Sequence, residues 1–209
     1  MQQVKRSKRP HPYIIKDTYY HKAKNQGFRA RSVFKLEELQ WVFELIHPNM
    51  KVCDIGAAPG SFMQFIKKII KDEGLLVGID LKKIENIGGK NVHTLIHNIF
   101  EYDTLKPLIQ QIIGEGKYFD VITSDIAPNT TGRKDVDQYA SVELNIEILK
   151  FADEFLKKGG NLLLKVFKGE DFFELSREIK KRYERFTEYK PLACRDRSVE
   201  EYVICIWKK

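Results

Sequence analysis

From residue 51 onward, short runs rich in Val, Ile and Leu alternate with longer segments of helical period, and this alternation narrows the fold more than any other feature. Strands are expected over 51–55, 75–80, 92–96, 119–124 and 161–167. Helices are expected over 61–72, 104–113, 137–157 and 171–183, and a loop with Gly88-Gly89 precedes the third strand. Strands joined by crossovers pair in parallel, with helices on both faces. The C-terminal end departs from this rule. Strands near 186–190 and 202–208 are joined by a link too short for a helix, which turns the last strand antiparallel. Ahead of the alternation, 17–25 and 32–46 read as helices. In the second, Val33, Leu36, Leu39, Val42, Phe43 and Ile46 recur at helical spacing, with Ser32 as N-cap and Pro48-Asn49 as the stop.

Hydrophobic residues make up 43% of the 209 positions, enough for one well-filled core. A single domain is therefore expected over 13–209, behind a basic, flexible tail at 1–12. The net charge of +7 is unevenly placed. Lys5, Arg6, Lys8, Arg9, Lys16, Lys22, Lys24, Arg29, Arg31 and Lys35 stand against one acid, Asp17, while the remainder is slightly acidic. That separation suits contact with a phosphate backbone. Lys5, Arg6, Lys8, Arg9, Lys22, Lys24, Arg29 and Arg31 are the candidate RNA contacts, the last four within a helical RNA-binding extension over 13–47. A solvated tail that only aids solubility is the alternative for 1–12. Tyr13, Tyr19, Tyr20 and Phe28 interleave with the charges, where they either stack on bases or pack against the body.

Several classes are disfavoured. Cys53, Cys194 and Cys205 are widely spaced with no C-x-x-C pair, which argues against a zinc site or disulfide framework and for a reducing, cytoplasmic setting. No run approaches the roughly 18 apolar residues of a membrane span. The basic N-terminal segment has no apolar stretch behind it, unlike a secretory signal. His93 and His97 fall in a strand and a loop rather than on one helix face, so no metal site is expected.

The segment VCDIGAAPGSF (Val52–Phe62) follows the first strand and opens a helix. Gly56 and Gly60, with Ala57 and Ala58 between, let a ligand approach the backbone. Asp54 either binds a ligand's amino group or holds the loop's own N–H groups. Asp80 closes the next strand, about 20 residues after the glycine loop, where an acid hydrogen-bonds ribose hydroxyls. Together these predict a nucleoside site, open to NAD or S-adenosylmethionine, with the missing fuller glycine fingerprint favouring the methyl donor. In FDVITSDIAPNTTG (Phe119–Gly132), Asp125 sits at the C-terminal end of a strand, the ligand-binding end of open α/β sheets. LLLKVF (Leu162–Phe167) sets Lys165 near the end of the following strand. Lysine is rarely buried unless paired. A pair with Asp125 reads either as structural or as reactive.

A mostly parallel sheet with an antiparallel terminal hairpin resembles the Rossmann-like class I methyltransferase fold, with seven strands. The motifs RARSVFKLEELQ, DIGAAPGSF, SDIAPN, LLLKVFKGED and RDRSVEEYVI stand in the order and spacing of the FtsJ/RrmJ (RlmE) family of RNA 2′-O-ribose methyltransferases. The resemblance runs from about residue 17 to 209. It implies a catalytic tetrad of Lys35, Asp125, Lys165 and Glu200, and the chemistry of the reaction suggests Lys165 as proton acceptor with Lys35 and Glu200 positioning the ribose. It also implies a donor site at Gly60, Phe62, Asp80, Asn98 and Asp125, beside Asp54, Gly56 and Ser61. Phe62 stands where an indole is frequent in the family. Asn98 stands where an aspartate commonly binds the adenine amino group, and it keeps the acceptor oxygen without the charge.

A ribose hydroxyl is a poor nucleophile, so the enzyme must align it and help its proton leave. A lysine accepts that proton only in its neutral form. An apolar strand and a second ammonium favour that form, and Asp125 opposes it. The resemblance implies action on a uridine of large-subunit ribosomal RNA, and a monomer is the default expectation. YYHKAKNQGFRARSVFKL (Tyr19–Leu36) is equally similar to relatives acting on the tRNA anticodon loop. A non-catalytic RNA-binding assembly factor and a nicotinamide-dependent oxidoreductase are the alternatives from other classes.

Overall fold

The structure, a computed structural model, describes residues 18–194 and 198–209. Lys5, Arg6, Lys8 and Arg9, with the rest of the 1–12 tail, lie outside the described residues. The elements are α1 (Thr18–Asn25), α2 (Val33–Phe43), β1 (Lys51–Ile55), α3 (Ser61–Ile70), β2 (Leu75–Asp80), β3 (Val92–Ile96) and α4 (Tyr102–Ile113). They continue with β4 (Phe119–Ser124), α5 (Lys134–Phe155), β5 (Leu156–Phe167), α6 (Phe172–Arg182), β6 (Tyr183–Tyr189) and β7 (Glu200–Lys208).

The seven strands form one sheet in the order β3-β2-β1-β4-β5-β7-β6. The pairs from β3 through β5 are parallel, and β7 is antiparallel to both β5 and β6. Strand order reverses between β1 and β4, which opens a crevice beyond their C-terminal ends.

The period of two along each strand divides the core. Cys53, Val77, Ile122, Leu162, Leu164 and Val203 face the layer that holds α4, α5 and α6. Val52, Leu76, Val121, Leu163, Tyr202 and Ile204 face α2 and α3, whose Leu36, Leu39, Met63 and Ile66 fill the other side. Lys165 is two residues beyond Leu163, so it shares the α2–α3 face.

Several boundaries differ from those read in the sequence. Ser32 does not cap α2; it has helical backbone angles and makes no side-chain capping bond. Its hydroxyl instead lies 3.0 Å from Ser61 Oγ. α2 stops well before Pro48-Asn49, at Glu44, which turns left-handed at φ 49°. The Gln40 side chain then accepts from the Ile46 N–H at 2.9 Å and donates to the Ile46 carbonyl at 2.7 Å. Ile46 thus reaches the core from a loop. α5 begins at Lys134 because Asp137 draws in the preceding turn, accepting from the Thr131 N–H and hydroxyl and the Gly132 N–H. β5 begins at Leu156 and absorbs the extra length in a register shift opposite Phe119 and Val121.

Candidate active site

A cavity of about 400 Å³ opens at the reversal of strand order, lined by Gly56 and Ala58 after β1, Asp80 and Leu81 after β2, Asn98 and Phe100 after β3, and Asp125 to Asn129 after β4. All these positions are C-terminal ends of parallel strands, so backbone direction alone brings them together.

Of the residues expected at the donor, Gly56, Asp80, Asn98 and Asp125 line this cavity. Gly56 takes φ +74°, and a Cβ there would lie 2.6 Å from Ile126 Cβ, so only glycine leaves this wall open. Asp80 accepts the Ala58 N–H at 2.9 Å and the Lys82 N–H at 2.8 Å, which ties the two rims of the cavity together. Asn98 Oδ1 accepts the Phe100 N–H at 3.1 Å.

Asp54, Gly60, Ser61 and Phe62 are not among the residues that line the cavity. Phe62 is buried in the α3 core. Gly60 turns the chain into α3 at φ 106°. Asp54 is fully buried and accepts the Thr123 hydroxyl at 2.7 Å, while its Oδ2 has no partner. Burial, reinforced by Asp125 and Asp80 and opposed by the Thr123 bond, pushes its carboxyl up to about 8. The bond Asp54 makes is to β4, not to the glycine loop's own N–H groups.

The four tetrad positions meet beside this cavity as two ion pairs. Lys165 Nζ lies 3.1 Å from Asp125 Oδ1 and also donates to the Asp125 carbonyl. Lys35, on α2, is paired with Glu200 at the start of β7. Lys35 and Lys165 are both buried. Tyr202 was not legible as a site residue, because its place in EEYVICIW reads as core. Its hydroxyl donates to Asp125 Oδ1 at 2.5 Å, and its ring lies 5.9 Å from Lys35 Nζ. Burial, with Asp125 next, raises the Tyr202 phenol well above its ordinary range, so it stays a donor. The Cys194 thiol lies 3.5 Å from Glu200 Oε1. Burial lifts it to about 12, which keeps it a thiol. Buried lysine–carboxylate pairs rarely stabilise a fold better than apolar side chains would, so two of them side by side point to chemistry.

The extension's cations divide. Lys24 is exposed, and Lys22 Nζ sits 4.4 Å above the Phe34 ring. Arg31 donates to the Ala193 carbonyl at 3.3 Å. The Arg29 guanidinium is committed to three backbone carbonyls, those of Pro59, Glu85 and Asn86. Of the aromatics, Tyr19 and Phe28 pack on Phe34, and Tyr20 is exposed. His97 is held between the Asn98 carbonyl and Thr104. Among the described residues no group of acids, histidines and cysteines is arranged to hold a metal, and no helix is long and apolar enough to cross a membrane.

A nucleoside-sized cleft at the switch point, with a seven-stranded sheet whose seventh strand is reversed, defines a Rossmann-like methyltransferase. The sequence model of the FtsJ-like methyltransferase family matches residues 28–208. The chain is 38% identical over 205 residues to a ribosomal RNA large subunit methyltransferase E of Desulfatibacillum aliphaticivorans, covering 98% of this chain and 96% of that one. It is 40% identical to the protein of the same name from Anaeromyxobacter dehalogenans, covering 92% of this chain and 71% of that one. Among solved structures, a ribosomal RNA methyltransferase of Plasmodium falciparum superposes with a TM-score of 0.76 at 26% identity, over 87% of this chain and 98% of that one. An Aeropyrum pernix fibrillarin, at 13% identity and a TM-score of 0.61 over 84% of this chain and 76% of that one, shares the fold. The chain belongs to the FtsJ-like methyltransferase family. It is an enzyme that uses S-adenosylmethionine as its methyl donor. The cleft suits that donor: a glycine wall leaves it open, and the carboxylates of Asp80 and Asp125 line it.

Proposed function

We propose that this protein methylates a ribose 2′-hydroxyl of structured RNA, and that the target is a uridine of large-subunit ribosomal RNA. The observation that carries this reading is the pairing of Lys165 with Asp125 and of Lys35 with Glu200 beside the donor cleft, with Asp125 lining that cleft. The names of the curated relatives support the ribosomal substrate.

S-adenosylmethionine supplies an activated sulfonium methyl group, so the chain itself must align the acceptor oxygen and remove its proton. Alignment of this kind is worth about 7–11 kcal/mol. Lys35 and Glu200 hold the ribose from the α2 side. Asp125 orients Lys165, and Tyr202 fixes Asp125 in turn. Lys165 Nζ is the group placed to accept the hydroxyl proton. Gly60, Ser61, Phe62 and Asp54 support the donor site from outside the cavity lining, while Asp80 and Asn98 hold the donor's nucleoside. Lys22, Lys24 and Arg31, with the 1–12 tail, attract the RNA backbone from an extension over 13–47, and the rest of 13–209 is one catalytic domain. On this reading the enzyme works as a monomer in the cytoplasm.

The test is methylation with a labelled donor of large ribosomal subunits lacking the modification, in parallel with bulk tRNA. Label is expected in the large-subunit RNA, at a uridine ribose. Label confined to tRNA would move the substrate to the anticodon loop. Donor binding without methylation of either RNA would favour the assembly-factor reading.

A further inference from the structure

The arginine pair of the RARSVFKL motif reads in the sequence as cationic surface for RNA, yet the two side chains are used differently. Arg29 lies in the link between α1 and α2, and its guanidinium reaches 30 to 57 residues along the chain. Nη1 donates to the Pro59 carbonyl at 3.0 Å and the Glu85 carbonyl at 2.7 Å, and Nη2 donates to the Asn86 carbonyl at 2.9 Å. Pro59 belongs to the loop whose Gly56 and Ala58 wall the donor cavity. Glu85 and Asn86 continue the loop whose Asp80, Leu81 and Lys82 form the facing rim.

The approach is close. A Cβ on Gly60 would meet Arg29 Nη1 at 2.8 Å and Ile87 Cδ1 at 3.0 Å. The arginine is itself held in place, because its N–H donates to Gln64 Oε1 at 3.0 Å and Gln64 Nε2 donates to the Gly27 carbonyl at 3.1 Å. Two ties therefore join the same pair of loops. Asp80 binds Ala58 within the cavity, and Arg29 bridges the loops from outside it. A planar fork suits this bridging of fixed carbonyls, and an ammonium does not reproduce it. Three of the five guanidinium N–H donors are thus engaged by carbonyls, leaving two for any other partner.

We propose that Arg29 is a positioning residue for the methyl donor: it fixes the spacing of the two loops that form the donor cleft and takes no direct part in holding RNA. The inference rests on the donor reading of the cleft. That reading is checked separately, by binding of S-adenosylmethionine to the unaltered protein.

The experiment measures donor affinity calorimetrically without RNA, RNA affinity by fluorescence anisotropy, and the KM for each substrate, in Arg29→Ala, Arg29→Lys and Gln64→Ala. In metal sites, removing the groups that orient the ligands typically costs roughly 10–100-fold in affinity, and a loss of about tenfold is the expectation for this cleft. Both Arg29 variants are expected to weaken donor binding and raise the donor KM by that factor, with RNA affinity and the RNA KM unchanged. Gln64→Ala is expected to move the same donor quantities by less. A merely structural role would lower the fraction of active protein, and so the apparent kcat, without changing either KM. That outcome would overturn the proposal. So would an Arg29→Lys protein that binds donor normally, or an Arg29→Ala protein whose loss falls on RNA. Absence of donor binding by the unaltered protein would instead overturn the reading on which the proposal rests.

Discussion

The two halves of the cleft are built by different means. On the donor side, side chains act on backbone: Asp80 holds the Ala58 and Lys82 N–H groups, Asn98 the Phe100 N–H, and Arg29 three carbonyls. On the catalytic side, side chains act on one another. Lys35 meets Glu200, Lys165 meets Asp125, and Tyr202 meets Asp125, across separations of up to 165 residues. A wall made of backbone tolerates changes in side-chain identity, as Asn98 illustrates at a position where the family more often has another residue. A cluster of mutually paired charges does not, because removal of one partner strands the other in a buried place.

The largest effect should come from the catalytic half. Lys165→Ala is expected to lower the methylation rate by about 10²–10⁴-fold, the usual span for a proton-transfer group. Its donor affinity, measured by calorimetry, should stay near that of the parent, and a matching loss of donor binding would erase the contrast between the halves. Lys35→Ala, Glu200→Gln and the double variant form a cycle. If the pair acts as a unit, each single variant should lose about as much rate as the double one, and additive losses would show independent roles.

Tyr202→Phe removes one hydrogen bond to a charged carboxylate, worth about 1.5–3 kcal/mol. Activity should fall by roughly tenfold or more, as Asp125 loses its second holder. Unchanged activity would mean that Lys165 alone orients Asp125.

Asp54 tests the layer between the halves. Its folded carboxyl is raised from 3.8 to about 8, so between those values the folded state binds more protons than the unfolded chain. Stability should therefore be greatest at the acidic end and decline as pH rises through that window, by about 1.4 kcal/mol per pH unit at most. Thermal unfolding of Asp54→Asn at several pH values should lack this component. The smallest effect is expected for Asn98→Asp, with donor affinity shifting by about threefold or less, the size of one exposed electrostatic contact.

β1, β2 and β4 were legible because short apolar runs lead to Gly56, Asp80 and Asp125, and the reversed β7 followed from the short link before it. That Lys35, Asp125, Lys165 and Glu200 come together was legible through five motifs in fixed order. What stayed hidden is contact between distant segments. The alternation that marks Tyr202 as core is correct for its ring and silent about its hydroxyl. The charge of Arg29 suggests RNA, while three carbonyls supplied from elsewhere in the chain decide its use. Ile46 fits a helical period, yet Gln40 closes a loop around its backbone and delivers it to the core without a helix.

The reversal of β7 has a consequence for handling the molecule. A nine-residue strand extends about 30 Å. Because it enters at the cleft with Glu200, residue 208 emerges at the opposite end of the sheet, where Lys208 Nζ caps the carbonyls of Ala152, Asp153 and Leu156. A tether attached at Lys209 would hold the enzyme with its cleft turned away from the support, leaving a bulky RNA substrate free to approach.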